Sequence, residues 1–320
     1  MPNISALVTA TIDNLKPRNR ILEASQCQQI CEQYDISIEN LMMALLLFAQ
    51  QYAKAVVSDF NVGAVAKGKK LNDSGYANLY FAANVEFENR SLCHSIHAEQ
   101  AVISVAWQQG ETGVSSIATS AAPCGHCRQF LYELSHGQAL PVLTPGSQLI
   151  EPLSYVSRDV SELLPDAFGP LELDNHQKFM KDANKLQKLT LDDALLSEAI
   201  IEKTLSEAGK SYAPYSGNFA ACVIQTNDEK FYSGKSIENA AYNPSLPAFS
   251  AALINLVMGQ VRNASLASIF AHVQRVVLVE FTSTASQIEL SQLLLISCSK
   301  NLKLESYQAN FSENSTIDKH

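Results

Sequence analysis

The sequence has few basic residues and no long apolar run. Its 320 residues carry 23 Lys and Arg against 32 Asp and Glu, a net charge of −9, and no run of Lys or Arg occurs. A polynucleotide-binding protein needs basic grooves for the phosphate backbone, so we expect no nucleic-acid partner. The longest apolar run, LMMALLLFA at 41–49, is too short to span a bilayer, and we expect no membrane partner.

The sequence also lacks a secretion signal and a disulfide framework. The N-terminus, MPNISALVTATIDNLK, has no basic region followed by an apolar core. The seven cysteines are an odd number at loose spacing, which is typical of a reduced protein rather than a disulfide scaffold. We therefore expect a cytoplasmic location.

What is present indicates an α/β protein built in four segments. Residues 1–48 are predicted to form a small helical N-terminal segment. Residues 49–160 alternate strand-type and helix-type stretches in the order strand, strand, helix, strand, helix, which indicates a domain with a mixed sheet. The polar residues 161–189 are predicted to be a linker, and a second α/β domain follows at 190–320. We expect the polar tail from residue 310 onward to be disordered.

The stretch AAPCGHCRQF at 121–130 places Cys124 and Cys127 directly after Pro123. Proline is favoured in the first turn of a helix, so both thiols are predicted to lie on one face of a helix start. A helix N-terminus favours the thiolate over the thiol. Two thiolates so placed could form a redox pair, half of a structural metal site or part of a catalytic site.

His97, in HAEQ, supplies a third ligand. A catalytic zinc has three protein ligands and one position for water, whereas a structural zinc is closed by four. The sequence leaves the structural alternative open, because three further candidates for a fourth ligand lie nearby: His94, His126 and Cys93.

Glu99 favours a catalytic zinc site over a structural one. It lies about 200° from His97 around a regular helix, but at a helix start both side chains can face one cleft. A carboxylate beside an open zinc position can take a proton from water and deliver it to a substrate. The pattern H-x-E followed by P-C-x-x-C is the signature of zinc-dependent nucleobase deaminases, and here it joins Glu99 and His97 to the cysteine pair.

The second half of the chain repeats part of the first. YSGNFAACVI at 215–224 is similar to VSDFNVGAVA at 57–66, and an extension of the match sets Glu238 against Glu86. This similarity predicts a duplicated fold.

The duplication is predicted to have lost its chemistry in the second copy. Counting eleven residues beyond each of the two matched glutamates sets Phe249 against His97 and Ala251 against Glu99. No cysteine pair follows in the second half. We therefore expect one zinc site per chain.

The stretches FNVGAVA, AANVEF, HAEQAVISVAW and APCGHCRQF together resemble cytidine deaminase, and most closely its long, two-domain bacterial form. The resemblance covers residues 40–300. It implies a three-layer α-β-α fold with a mixed sheet, duplicated into a catalytic copy and a decayed, zinc-free copy. It also implies one Zn²⁺ per chain and a homodimer in which the other subunit completes each active site.

The resemblance implies a reaction. His97, Cys124 and Cys127 would hold zinc, and zinc-bound hydroxide would attack C4 of cytidine or 2′-deoxycytidine. Glu99 would protonate N3 and later the leaving amine, giving uridine or 2′-deoxyuridine and ammonia in pyrimidine salvage.

The resemblance also assigns substrate-binding residues. Asn84 and Glu86 match the pair that hydrogen-bonds the ribose 3′-hydroxyl, and Phe60 matches the aromatic residue that packs on the pyrimidine. Phe168 matches a residue that reaches into the neighbouring subunit's site. From the residues alone, Asn84 and Glu86 could instead be a solvated strand end, and Phe60 could be a core residue.

The sequence alone leaves two alternative functions open. One is a zinc-stapled interaction module with an inert site, which Glu99 disfavours because a structural zinc has no use for it. The other keeps the chemistry and changes the substrate to free cytosine or a modified nucleoside. A carboxylate at Glu86 suits a free sugar hydroxyl and would repel a phosphate, so the sequence favours a nucleoside.

Overall fold

The protein is described from a computed structural model, which covers residues 11, 21–134, 139–146, 154–177, 179–181, 186–260 and 262–312. Most of the first twenty residues lie outside this range, as does the tail beyond 312. None of the described helices is long and apolar enough to cross a membrane. The four domain limits predicted from the sequence stay predictions.

The first half forms a six-stranded mixed sheet flanked by helices. Its elements are β1 (Ile21–Leu22), α1 (Ala24–Tyr34), α2 (Ile38–Gln50), β2 (Gly63–Leu71), β3 (Ala77–Ala83), a 3₁₀ turn (Leu92–His94), α3 (Ala98–Gln108), β4 (Val114–Thr119), α4 (Gly125–Tyr132), β5 (Pro141–Pro145), β6 (Tyr155–Asp159) and α5 (Val160–Leu163). The strand order is β1-β3-β2-β4-β5-β6. Only the β4–β5 pair among these is parallel.

Helix α2 is tied to this sheet by its apolar composition. Ser37 caps its start, accepting a hydrogen bond from the backbone N–H of Asn40 at 3.1 Å. Eight of its residues are buried, and it packs on β2 and β3. The N-terminal helices thus stabilise the sheet that carries the site.

The second half forms a five-stranded mixed sheet. After a 3₁₀ turn (Pro170–Leu173), its elements are β7 (Leu189–Thr190), α6 (Asp193–Leu196), α7 (Ala199–Ala208), β8 (Ala220–Thr226), β9 (Phe231–Lys235), α8 (Ala248–Met258), α9 (Leu266–Phe270), β10 (Val273–Phe281), α10 (Ile288–Cys298) and β11 (Leu304–Phe311). The strand order is β7-β11-β10-β8-β9, and β10 and β11 are parallel. Since β11 extends to Phe311, the tail predicted to be disordered from residue 310 begins inside a strand.

The two halves repeat one arrangement. The order β3-β2-β4-β5 in the first sheet matches β9-β8-β10-β11 in the second, and in each case the last pair is parallel. Helices α3 and α8 follow the hairpins and pack against each other. Every residue of α8 is buried, as its mainly apolar sequence, with Ser250 and Asn255 as the polar exceptions, predicts. The prediction of a duplicated α/β fold is confirmed.

Each half contains one isolated β-bridge that closes the loop before its long helix, and these two bridges show which residues of the halves correspond. Val85 pairs with Ile96 in the first half, and Ile237 pairs with Leu246 in the second. The paired residues are eleven positions apart in the first half and nine in the second. The second loop is therefore shorter by two residues.

This difference corrects the counterpart positions expected from counting. Pro247, not Phe249, precedes α8 where His97 precedes α3. Phe249 is consequently the counterpart of Glu99, and Ala251 lies two residues beyond that position. The expected pairing was wrong because counting assumed loops of equal length. The conclusion that the second half lacks both side chains is unchanged.

Candidate active site

Three side chains from two helix starts converge in the first half. His97 is the residue before α3, and Cys124 is the residue before α4, with Cys127 one turn into that helix. Nδ1 of His97 lies 3.4 Å from Sγ of Cys124 and 3.2 Å from Sγ of Cys127, and the two sulfurs are 3.7 Å apart. These residues form the one group in the described part of the chain with the spacing of a metal site.

The donor set fits zinc in chemistry and in size. Zinc prefers thiolate and imidazole ligands in tetrahedral sites. With the usual bond lengths, a tetrahedron has S–S edges of about 3.8 Å and S–N edges of about 3.6 Å. The observed separations are close to these values.

The electrostatics of the group favour one thiolate even without a cation. The thiol of Cys127 and the ring of His97 donate toward Cys124 and lower the pKa of Cys124 to about 3. The negative charge there, together with burial, raises the pKa of Cys127. The same thiolate raises the pKa of His97. A bound cation would take the place of these protons.

The candidates for a fourth ligand lie elsewhere. The ring of His126 stacks on that of His97 with centroids 5.0 Å apart and an angle of 30°. Cys93 is exposed, and its Sγ lies 3.2 Å from Oγ of Ser91. Neither His126 nor Cys93 belongs to the ligand group, nor does His94. Three protein ligands with an adjacent cavity are the arrangement of a catalytic metal site.

Glu99 faces the same cavity from the first turn of α3. It is 4% exposed, and the cavity lining contains Glu99 together with His97 and Cys124. Burial raises the pKa of its carboxyl. The helix start thus allows residues 97 and 99 to share a cleft, as the sequence analysis expected.

The cavity has a volume of about 220 Å³ and also brings together Phe60, Asn84 and Glu86. Phe60 is 60% exposed and lies at the mouth, so the alternative of a core phenylalanine is wrong. Asn84 and Glu86 are buried, which contradicts the alternative of a solvated strand end. Their assigned roles toward substrate stay predictions.

Glu86 and Ser58 form a contact that the sequence analysis missed. One carboxylate oxygen of Glu86 accepts from the backbone N–H groups of Val57 at 2.8 Å and Ser58 at 2.9 Å. The other accepts from the Ser58 hydroxyl at 2.5 Å. These bonds lower the pKa of Glu86 and keep it ionised. No local signal links residues 28 and 29 positions apart, so sequence reasoning could not find this contact.

Asn84 stabilises the same loop. Its Oδ1 accepts from the backbone N–H of Val62 at 2.8 Å, and its Nδ2 donates to the backbone oxygen of Phe60 at 3.0 Å. Asn84 thus fixes the chain on both sides of residue 61. The exposed ring of Phe60 is held at the cavity mouth by this contact.

Phe168 does not line the cavity of its own chain. Its side chain is 46% exposed, and its backbone oxygen accepts from Nε2 of Gln129 at 2.7 Å. The predicted contact of Phe168 with a neighbouring subunit stays a prediction.

Comparison with known proteins identifies similar sequences for both halves of the chain. Residues 36–141 and 160–310 each match a family model for the cytidine and deoxycytidylate deaminase zinc-binding region. The cytidine deaminase of Shewanella amazonensis is 42% identical over 81% of this chain and 79% of its own length, and that of Vibrio vulnificus is 36% identical over the same shares. A solved cytidine deaminase from Mycobacterium tuberculosis, 31% identical, covers 41% of this chain and 96% of its own, with a TM-score of 0.32.

Both halves of the chain match the zinc-binding deaminase model, and most of its length matches curated relatives above 30% identity. The prediction of a zinc-dependent deaminase with a duplicated α/β fold is confirmed, as is zinc as its cofactor. The chain belongs to the cytidine deaminase family.

Proposed function

We propose that this chain catalyses the hydrolytic deamination of cytidine and 2′-deoxycytidine. Water is consumed, and the products are uridine or 2′-deoxyuridine and ammonia. The observation that carries the proposal is a single cavity that joins a three-ligand metal group to Glu99 on one side and to Asn84 and Glu86 on the other.

The metal group would hold zinc through His97, Cys124 and Cys127. When bound there, zinc supplies a Lewis acid that lowers the pKa of water from about 16 toward 7. His97 and Cys124 each lie at the start of a helix, and both line the cavity.

Glu99 is the proton carrier of the proposed reaction. Its carboxyl is buried beside the ligand group and lines the cavity, so it lies between the metal group and the position of a substrate. It would take one proton from the attacking water and pass it to N3 of the pyrimidine. It would then take the second proton, from the hydroxyl formed at C4, and deliver it to the leaving amine, so that C4 becomes the carbonyl carbon of the product. Such positioned proton transfer contributes about 10²–10⁴-fold to rate.

The opposite wall of the cavity would bind the sugar. A carboxylate offers about four lone-pair sites, and Glu86 uses three on the loop at Val57 and Ser58. The remaining acceptor site suits a sugar hydroxyl. The amide of Asn84 has one donor and one acceptor position left for the same ligand. A phosphate would be repelled by Glu86, which supports a nucleoside over a nucleotide.

We further propose a homodimer whose partner subunit closes the site, acting in pyrimidine salvage in the cytoplasm. Apolar side chains are exposed around the cavity mouth, with Val56 at 50%, Val57 at 53% and Phe60 at 60%. A second subunit would bury them. All seven cysteines are free, which suits a reducing compartment.

The test of the reaction is Glu99→Gln. Cytidine turnover, followed by the loss of its ultraviolet absorbance and by released ammonia, should fall by about 10²–10⁴-fold. Zinc content and melting temperature should be retained, because Gln keeps the volume of the side chain and removes a buried charge. Glu88→Gln is the matched control, because Glu88 is an exposed carboxyl in the same half of the chain, two residues after Glu86. A Glu99→Gln protein with near-normal turnover would refute the proton-carrier role.

The dimer is tested by complementation. We expect Phe168→Ala and Glu99→Gln homodimers both to be poorly active. In a mixed dimer, the subunit with intact Glu99 receives Phe168 from its partner, so one of the two sites is complete. Mixing the variants under exchange conditions should recover activity, and a monomeric mass in light scattering would contradict the proposal.

A further inference from the structure

The second half of the chain contains a cavity of about 420 Å³ in the position that corresponds to the active site. It is bounded by the loop before β8, the segment after β9, and the starts of α8 and α10. The first-half cavity is bounded by the matching elements, namely the loop before β2, the segment after β3, and the starts of α3 and α4. The duplication has therefore kept a cavity as well as a fold.

Glu238 in this cavity is held in the same way as Glu86. One of its oxygens accepts from the backbone N–H groups of Tyr215 at 2.8 Å and Ser216 at 3.1 Å. The other accepts from the Ser216 hydroxyl. Three of about four acceptor sites are used, and one remains for a ligand hydroxyl.

The metal chemistry is absent from this cavity. Pro247 and Phe249 occupy the positions of the metal-binding histidine and the proton carrier. Gln287 precedes α10 as Cys124 precedes α4, and its amide is engaged with the N–H of Ala248 at 2.9 Å. No histidine or cysteine is among the described residues that line the cavity. A ligand would be bound there without being converted.

Aromatic rings complete the lining. Tyr215 and Tyr242 lie with ring centroids 6.3 Å apart at an angle of 51°. Tyr242 is 64% exposed and has a backbone φ of 62°, a left-handed conformation that few residues other than glycine adopt. Tyr242 lines the cavity and is largely exposed, so a planar ring in the cavity can stack on its ring.

We propose that this second cavity binds an uncharged nucleoside, with Glu238 accepting a hydrogen bond from a sugar hydroxyl and Tyr242 stacking on the base. A hydroxyl acceptor and an aromatic face within one cavity select a ligand that carries both a polyol and a planar ring. The carboxylate of Glu238 would repel a phosphorylated ligand. The choice of ligand rests on the proposed function, since it takes Glu86 to be the acceptor of a sugar hydroxyl.

The experiment is equilibrium dialysis of the zinc-loaded protein against radiolabelled uridine, which the proposed reaction forms and does not consume. We expect two uridines per chain in the unmodified protein. Glu238→Gln should bind one and keep normal cytidine turnover, whereas Glu86→Gln should lose the other. Binding of a single uridine per chain by a protein that turns over cytidine would overturn the proposal and leave the proposed function intact.

A surface variant guards against a folding defect in Glu238→Gln. Tyr242→Ala removes an exposed ring and should weaken uridine binding at the second cavity by about tenfold. Tyr242→Phe retains the ring and should bind nearly normally. Unchanged binding in Tyr242→Ala and Glu238→Gln alike would contradict the proposal. Two uridines per chain without cytidine turnover would support it and would contradict the proposed function.

Discussion

Gln100 and Pro244 join the two halves of the chain through one buried hydrogen bond. Nε2 of Gln100 donates to the backbone oxygen of Pro244 at 2.8 Å, and its Oε1 accepts from the N–H of His97 at 3.2 Å. The side chain is 2% exposed. One amide therefore connects the backbone of a metal-ligand position to the decayed half.

The first prediction is that Gln100→Leu destabilises the protein by about 1–3 kcal/mol, because it leaves the partly buried N–H of His97 and the buried carbonyl of Pro244 unpaired. The free energy of unfolding from urea denaturation measures this change. Gln109→Leu, at an exposed position one residue past α3, is the control and should change stability by less than about 0.5 kcal/mol. Equal effects of the two substitutions would contradict the role of Gln100.

The second prediction concerns the metal. Cys124→Ser should reduce zinc affinity by more than about 100-fold. Loss of a residue that only hydrogen-bonds to a metal ligand reduces affinity by about 10–100-fold, and loss of a ligand itself should cost more. Cys93→Ser is the matched control, since Cys93 is exposed, lies close in sequence to His97 and is outside the ligand group. Zinc per chain, measured by atomic absorption after dialysis, should fall only in Cys124→Ser. Retention of zinc by that variant would rule out Cys124 as a ligand.

The third prediction uses substrate analogues and needs no mutation. If Glu86 and Asn84 bind the 3′-hydroxyl, removal of that hydroxyl loses one hydrogen bond to a buried carboxylate, which costs about 1.5–3 kcal/mol. We expect kcat/KM for 3′-deoxycytidine to be about 10–100-fold below that for cytidine. The 2′-deoxy analogue should react at a rate close to that of cytidine. Equal rates for the 2′- and 3′-deoxy compounds would contradict the assignment.

The chemistry of the site could be predicted from the sequence because its parts are local patterns. Glu99 follows His97 by two residues, and Cys127 follows Cys124 by three, so helix starts alone determine how each pair is presented. The strand between the two pairs brings the helix starts together. These two short spacings are therefore enough to predict which residues form the metal group.

The remaining features depend on tertiary contacts that no spacing rule contains. Glu86 accepts hydrogen bonds from N–H groups 28 and 29 residues earlier. Those donors are backbone atoms, which almost every residue type has, so the residue types at these positions do not reveal the contact. The correspondence of Phe249 with Glu99 requires a loop shortened by two residues, which only strand pairing reveals. Gln100 looks like an ordinary helix residue until the second half packs against it.

Glu133 is a second buried connection between the halves, at the end of α4. Its oxygens accept from the hydroxyl of Tyr212 at 2.7 Å, the hydroxyl of Tyr215 at 2.5 Å and the N–H of Ala240 at 3.0 Å. The side chain is 3% exposed. Burial raises the pKa of this carboxyl above its usual value of 4.5 despite the three hydrogen bonds, which oppose the shift.

The fourth prediction follows from the sign of that shift. A raised folded-state pKa means that folding favours the protonated carboxyl. The contribution of Glu133 to the free energy of unfolding is therefore complete below pH 4.5 and is lost as pH rises through the folded-state value. Glu133→Gln is neutral at every pH, so its stability relative to the unmodified protein should increase as pH rises above 4.5.

The measurement is urea unfolding of both proteins at a series of pH values. Subtracting the same series for Glu202→Gln, an exposed carboxyl on α7, removes the effect of losing one negative charge from an acidic chain. A stability difference that stays constant with pH would show that the three hydrogen bonds cancel the effect of burial, and one that moves in favour of the unmodified protein as pH rises would show that they outweigh it. Either outcome would contradict the prediction that folding favours the protonated carboxyl of Glu133.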